Sequence, residues 1–156
     1  SPNDDLRYRA AADGAAIFAR SEGIWSDDKG LFFACTTGGV ARLGQVWQYV
    51  PSPYEGTDRE HESPATLRLF LESEQNGILQ HCDNLTITPK GDLFMAEDER
   101  GVNGLVRVQR NGAVERFARH RGRSSELCGV CMSPDGATLF ANIQRPGITV
   151  AITGPF

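Results

Sequence analysis

Three related segments recur along the chain, each with two short apolar stretches joined by a turn that ends in glycine. Residues 22–37 read EGIWSDDKGLFFACTT, residues 83–98 read DNLTITPKGDLFMAED, and residues 128–143 read CGVCMSPDGATLFANI. In Thr-Pro-Lys-Gly and Ser-Pro-Asp-Gly, proline presets φ for the first central position of a turn, and glycine accepts the positive φ that closes it. Each segment is therefore predicted to form a β-hairpin, and the chain to be built from repeated hairpins.

The spacing of the repeats indicates the architecture. The turn glycines Gly30, Gly91 and Gly136 are 61 and 45 residues apart. A β-propeller blade contains four strands in roughly 40–50 residues. An acidic, proline-rich insertion at 51–64 explains the longer first interval, because such a stretch is typical of a surface loop.

Between the hairpins, short β-rich stretches predict the remaining strands. They lie at 44–50, 66–73, 104–110, 112–119 and 147–154. Only 4–13 has a helical pattern, with Asp residues at its ends and Gly14 as a stop. The prediction is an all-β chain with one short N-terminal helix, forming a single partial propeller domain over 1–156. Its blade units lie at about 15–75, 78–120 and 125–156.

Three blades do not close a propeller, which needs at least about four and usually six or more. The fold is therefore expected to be incomplete by itself, about half of a propeller of six or more blades. Either a missing N-terminal half or a second copy of the chain would complete it. A start at Ser1 without a signal peptide agrees with a processed or truncated chain,.

Composition excludes some function classes. The net charge of −4 offers no extended basic field, so nucleic acid is not expected as a partner,. No apolar run approaches the roughly 18 residues that a transmembrane segment needs. Cys128 and Cys131 have CxxC spacing, but positions i and i+3 of a strand point to opposite faces. We therefore expect buried core thiols here.

The repeat register points to candidate metal ligands. Glu22, Asp83 and Cys128 each lie eight residues before the turn glycine, and Asn84 follows Asp83. Equivalent positions in blades lie at equivalent radii, so Glu22 and Asp83 are expected at one mouth of the central channel. Carboxylate and amide oxygens there suit hard cations. The alternative is that these side chains cap turns and that Asn84 bonds its own backbone.

Other polar residues flank this register. Arg20 lies two residues before Glu22 and has the planar fork that suits a phosphate, although the sequence alone favours a plain surface arginine. Glu126 lies two residues before Cys128. His81 precedes Cys82 and is more typical of a loop residue than of a ligand. Glu97 and Asp98 end the second strand of their hairpin, so we expect them to lie apart from Asp83.

Several motifs, in this order, resemble the C-terminal part of PhoX-family bacterial alkaline phosphatases. They are SEGIW, TTGG, GQVWQY, DNLTITPKGDL, AED and SELCGVCMSPDGATLFANIQRPGITVAITGPF. The resemblance extends from about Leu6 to Phe156. It implies a six-bladed propeller that hydrolyses phosphate monoesters at a cluster of iron and calcium ions, and export to the periplasm or beyond.

The resemblance also implies residue roles. Glu22 resembles a metal-ligand glutamate of the family, and Arg20 its phosphate-holding arginine. Asp83 with Asn84 and Glu126 resemble further acidic site positions, and Glu97 and Asp98 are weaker candidates for calcium. Catalysis would be metal-assisted phosphoryl transfer by Arg20 and Glu22. Family members are several-fold longer, and their N-terminal half supplies further iron ligands.

Two other functions remain open at this point. A non-catalytic propeller module could assemble through its exposed edges. A calcium-dependent, lactonase-like propeller would share the Glu-Gly and Asp-Asn arrangement and would contain no iron.

Overall fold

The computed structural model describes residues 4–121 and 125–156 of the chain. Its N-terminal helix, α1, is Leu6–Ala12, within the predicted segment. The carbonyl of Asp5 accepts the first helical N–H groups, and the Asp5 side chain pairs with Arg9. Gly14 follows the helix with a φ of 84°. None of the described helices is long and apolar enough to cross a membrane.

Eleven strands in the described residues form three antiparallel sheets. The first two sheets have four strands each, arranged in chain order. Sheet one contains β1 (Ser21–Asp27), β2 (Gly30–Cys35), β3 (Gln45–Val50) and β4 (Thr66–Glu72). Sheet two contains β5 (Cys82–Ile87), β6 (Leu93–Glu97), β7 (Gly104–Val108) and β8 (Val114–Arg119).

Sheet three has three strands within the described residues, in the order β9, β10 and β11. They are β9 (Leu127–Met132), β10 (Thr138–Ile143) and β11 (Ile148–Thr153). The prediction of an all-β chain with about three blade-like sheets is confirmed, and the third sheet differs in having three strands rather than four among these residues. Every strand predicted between the hairpins is found, with ends that differ by one or two residues.

The turns behave as their residues predict. Gly91 and Gly136 have φ values of 88° and 69°. Their N–H groups each donate to the carbonyl three residues earlier, of Thr88 and Ser133, at 2.8 Å. Asn111-Gly112 closes the β7–β8 hairpin in the same way. Positive φ at these glycines carries no Cβ penalty, so the repeated turn is encoded locally.

Sheet two is the middle layer of the structure. Along β6, Leu93 and Met95 face sheet one, whereas Phe94 and Ala96 face sheet three. All five residues of β6 are buried. The two hydrophobic cores therefore lie between successive sheets, as in face-to-face packing of propeller blades.

The face of sheet one that points away from sheet two is only partly covered. Phe18 packs edge-to-face on Phe33 and near Trp47 there. Ile24 and Leu69, which lie on the same cross-strand row, are 59% and 43% exposed. This outer apolar face is the side on which a preceding blade would pack.

The insertion at 51–64 is held mainly by its own contacts. It contains a short 3₁₀ helix, Glu60–Glu62. Arg59 pairs with Glu62 and stacks over the Tyr54 ring, and the Ser52 N–H donates to Glu55. The insertion connects β3 to β4 at the outer edge of sheet one, far along the sheet from β1.

Sheets one and two come into close backbone contact at Gly23. A Cβ atom built at this glycine would lie 2.6 Å from the carbonyl oxygen of Asp83 and 2.7 Å from the Cα of Asn84. Both contacts are with backbone, which cannot move aside as a side chain can. Glycine is therefore required where β1 meets β5.

We expect Gly23→Ala to lower the free energy of unfolding by about 1–3 kcal/mol, because the added methyl group must push the two inner strands apart. Gly154→Ala is the matched control, since its Cβ would meet nothing within 4 Å. Urea unfolding followed by circular dichroism measures both. Equal stabilities of the two variants would contradict this account of the interface.

Candidate functional site

The first strands of the three sheets, β1, β5 and β9, lie side by side, with β5 between the other two. Each has a register shift near its start. Glu22 and Gly23 together face one residue of β2, and Asp83 and Asn84 together face one residue of β6. A β-bulge re-aims the side chains it contains. Glu22 and Asp83, which share a sequence register, therefore also both lie in a β-bulge.

Arg20 lies immediately before β1 with a left-handed φ of 54°. Its Nη2 donates to Oδ2 of Asp98 at 2.5 Å, and its Nε lies 3.4 Å from Oε1 of Glu22. The Asp98 hydrogen bond raises the pKa of Arg20 above its ordinary value, with smaller contributions from the charges of Glu22 and Asp83. The side chain remains 44% exposed. Arg20 is thus oriented by carboxylates and still open to solvent.

Asp83 is the buried member of the group, at 5% exposure. Burial raises the pKa of Asp83 to about 6, and the charges of Glu22, Glu126 and Asp98 contribute to the rise, against an opposing effect of Arg20. Burial and repulsion by Asp98 also raise the pKa of Glu126. Four carboxylates thus interact around one arginine, and negative charge is in excess.

Asp98 lies with Asp83, contrary to the expectation from sequence. Cys82 pairs with Glu97 across the β5–β6 hairpin, so the start of β5 and the end of β6 are at the same end. The expectation of separation was wrong because an antiparallel hairpin returns its second strand to the beginning of its first. Asp98 then reaches Arg20 from this end.

Glu97 has a different environment. It is 2% exposed, and its carboxylate accepts the backbone N–H groups of Gln80 and Gly104 at 3.1 Å. It also forms an ion pair with Arg116, whose guanidinium donates to the carbonyl of Ile78. The contacts of this carboxylate are structural, because they join sheet two to the segment before it. The structure does not bring Glu97 together with Glu22 and Asp83.

Asn84 connects two sheets. Its Oδ1 accepts the backbone N–H of Gly129 in β9, which differs from the alternative of a bond to its own backbone. Beside it, Cys128 and Cys131 are half-buried rather than core residues, because β9 shifts register between them. The thiols that are fully buried are those of Cys35 and Cys82.

An open cavity of about 430 Å³ adjoins the arginine. Its lining residues are Arg20, Thr37, His81, Asp98, Glu99 and Arg100. The sequence patterns did not single out Glu99 or Arg100, and they favoured a loop role for His81. The signal for His81 was present, because His81 and Arg20 each lie ten residues before their turn glycine.

Arg20 and the carboxylates around it do not by themselves form a preformed metal site. Within residues 4–121 and 125–156, no three His, Cys, Asp or Glu side chains converge closely enough to hold an ion. The oxygen donors are nevertheless of the type that hard cations prefer. What the described residues offer is a negatively charged mouth with one exposed arginine.

The family model "Alkaline phosphatase PhoX" matches residues 3–147 of the chain. The chain belongs to this family. The resemblance of the motifs to this family is confirmed. No curated protein matches the chain at a significant level.

Among solved structures, the chain is similar to a selenomethionine-substituted virginiamycin B lyase from Staphylococcus aureus, with 14% sequence identity and a TM-score of 0.49. The match covers 88% of this chain and 42% of the lyase. The chain therefore spans less than half the length of that protein.

In the metal-free protein, we expect Asp83→Asn to be more stable than wild type at pH 7 by about 1–3 kcal/mol, using 1.36 kcal/mol per pKa unit. The folded-state pKa of about 6 exceeds the ordinary value of 3.8. Stability from the protonated carboxyl is therefore complete below pH 3.8 and lost as the pH rises through 6. The stability difference between variant and wild type should shrink towards zero at pH 4.

Urea unfolding in a chelator at pH 4 and pH 7 measures this difference. Asp135→Asn is the control, because a hydrogen bond from Ser133 lowers the pKa of Asp135 and the pH dependence has the opposite sign. A difference for Asp83→Asn that is the same at both pH values would show that Asp83 does not titrate in this way.

Glu97→Ala should cost about 3 kcal/mol of unfolding free energy, because it leaves the Arg116 guanidinium and the N–H groups of Gln80 and Gly104 without their acceptor,. Glu22→Ala should change stability by less than about 0.5 kcal/mol, since Glu22 is 37% exposed,. Thermal and urea unfolding of the two variants check the contrast. If Glu22→Ala were the more damaging change, the division between structural and site carboxylates would be wrong.

Proposed function

We propose that this chain supplies the phosphate-binding arginine and several acidic metal ligands of a metal-dependent phosphomonoesterase. The observation that carries the proposal is the grouping of Arg20 with Glu22, Asp83, Asp98 and Glu126 where adjacent inner strands begin. Family membership supports the reaction class, which is hydrolysis of phosphate monoesters.

Arg20 is suited to the phosphate. Its planar guanidinium donates parallel hydrogen bonds to two oxygens of a phosphate or carboxylate. Asp98 and Glu22 fix its direction from one side, and its other side is exposed to the cavity. An arginine held in this way loses little side-chain freedom when it binds an anion, which favours tight and oriented binding.

Glu22, Asp83 and Glu126 are the residues that would bind calcium or iron. Their oxygen donors fit hard cations, and the mutual repulsion that helps to raise the pKa of Asp83 is the imbalance that a cation relieves. The chemistry supplied by bound ions would be neutralisation of phosphate charge and activation of an oxygen nucleophile. Asn84 and Glu97 are weaker candidates, because both side chains already have structural partners.

Further ligands are expected from outside these residues. The outer apolar face of sheet one, with Ile24 and Leu69 exposed, is suited to a further blade. We propose that the missing half of the propeller, or a second copy of the chain, covers this face and completes the ligand set. A periplasmic or secreted location is proposed with the function, on the basis of the family.

The test uses the full-length gene product loaded with calcium and iron. We expect Glu22→Ala and Arg20→Ala each to reduce kcat/KM for p-nitrophenyl phosphate at least about a hundredfold, since each removes a contact to the phosphate or to the ions that activate it. Glu115→Ala is the control, because Glu115 pairs with Arg107 at the surface of sheet two.

Unchanged activity in Glu22→Ala would contradict the assignment of Glu22. Elemental analysis of the wild-type protein separates the alternatives. Calcium without iron, together with lactone hydrolysis and no phosphatase activity, would replace the phosphatase proposal by the lactonase one. A stable assembly with neither metal nor activity would indicate a non-catalytic module.

A further inference from the structure

We propose that His81 is a second phosphate contact, which donates a hydrogen bond to the phosphate group bound by Arg20; this inference rests on the proposed function. Arg20 precedes β1 and His81 precedes β5, each ten residues before its turn glycine. The two residues line the same open cavity of about 430 Å³. Adjacent sheets thus contribute equivalent positions to one space.

Arg20 and His81 share a backbone conformation as well as an equivalent position in the repeat. Arg20 and His81 have φ values of 54° and 50°, in the left-handed region that few non-glycine residues adopt,. The carbonyl of Arg20 accepts the N–H of Thr36, and that of His81 accepts the N–H of Asp98, both at 2.9 Å. A further bond from the His81 N–H to the carbonyl of Leu43 fixes the second residue. The same local strain is maintained in both repeats, and in the first it aims a guanidinium at the cavity.

Asp98 connects the two residues. Its side chain bonds the guanidinium of Arg20, and its N–H bonds the carbonyl of His81. The His81 ring, by contrast, makes no hydrogen bond to any residue in 4–121 or 125–156. A half-buried imidazole beside an oriented guanidinium has an N–H to donate in either tautomer. An anion with several acceptor oxygens, such as a phosphate, satisfies both groups at once.

Two substitutions at His81 separate the effect of its N–H donor from the effect of its left-handed backbone conformation. Asparagine tolerates the left-handed region and keeps an N–H donor, whereas glycine tolerates it best and has none. His81→Asn should therefore bind phosphate much as wild type does, and His81→Gly should bind about tenfold to a hundredfold more weakly. His61→Gly is the control, because His61 lies in the insertion and bonds the carbonyl of Asp58.

The measurement is isothermal titration of inorganic phosphate into the full-length, metal-loaded protein, with metal content and thermal midpoint recorded for each variant. A loss confined to His81→Gly, at unchanged metal content, supports the contact. Equal affinities in His81→Gly and His61→Gly overturn it. Loss of metal from both His81 variants also overturns it, because His81 would then be an ion ligand.

A double-substitution cycle with Arg20→Gln tests whether the two residues share one anion. We expect non-additive losses of phosphate affinity, since residues on one ligand are coupled. Additive losses would overturn the shared contact. Phosphate binding is measured without turnover, so a wild-type protein that binds phosphate through His81 but hydrolyses no ester contradicts the proposed function and leaves this inference standing.

Discussion

Burial of the second sheet on both faces is the constraint on which the rest of the structure depends. Phe94 and Ala96 pack towards sheet three, while Leu93 and Met95 pack towards sheet one, so β6 has no solvated side. Neither neighbouring sheet can move without exposing one of these cores. This packing aligns the starts of the inner strands, and the side chains that provide it are apolar. The site residues are therefore free to be chosen for chemistry.

The carboxylates grouped around Arg20 destabilise the folded state, and hydrophobic packing must offset this destabilisation. Like-charged carboxylates near one another raise the free energy of the folded state at neutral pH, and the raised pKa of Asp83 expresses that cost together with the cost of burial,. Arg20 compensates only part of it, because its best contact is with Asp98. Unfavourable charge of this kind accumulates at functional sites, where a ligand relieves it. Glu97 illustrates the opposite case, a buried carboxylate whose partners are all internal.

Much of the fold could be predicted from the sequence because its information is local. The Pro-Lys-Gly and Pro-Asp-Gly turns define the hairpins, and the glycine register alone identifies Glu22 and Asp83 as equivalent positions. The expectation for Asp98 was wrong although the predicted hairpin already implied its position, because an antiparallel hairpin brings the end of its second strand to the start of its first,. The sequence could not show that Glu97 has a structural role different from that of its neighbour. That role depends on Arg116, Gln80 and Gly104, which lie on other segments of the chain. The sequence places His81 in the same register as Arg20, ten residues before a turn glycine, but the left-handed φ that both residues share is visible only in the structure.

The insertion between β3 and β4 has a consequence for how such a chain can change. Its ion pair, its stacked arginine and its short 3₁₀ helix make it nearly self-contained, and it leaves the sheet at the edge opposite the inner strands. Lengthening a loop of this kind costs little chain entropy, about 0.6 kcal/mol per doubling. The outer rim of sheet one can therefore accept new sequence, including a fused reporter or affinity domain, while the geometry around Arg20 stays intact.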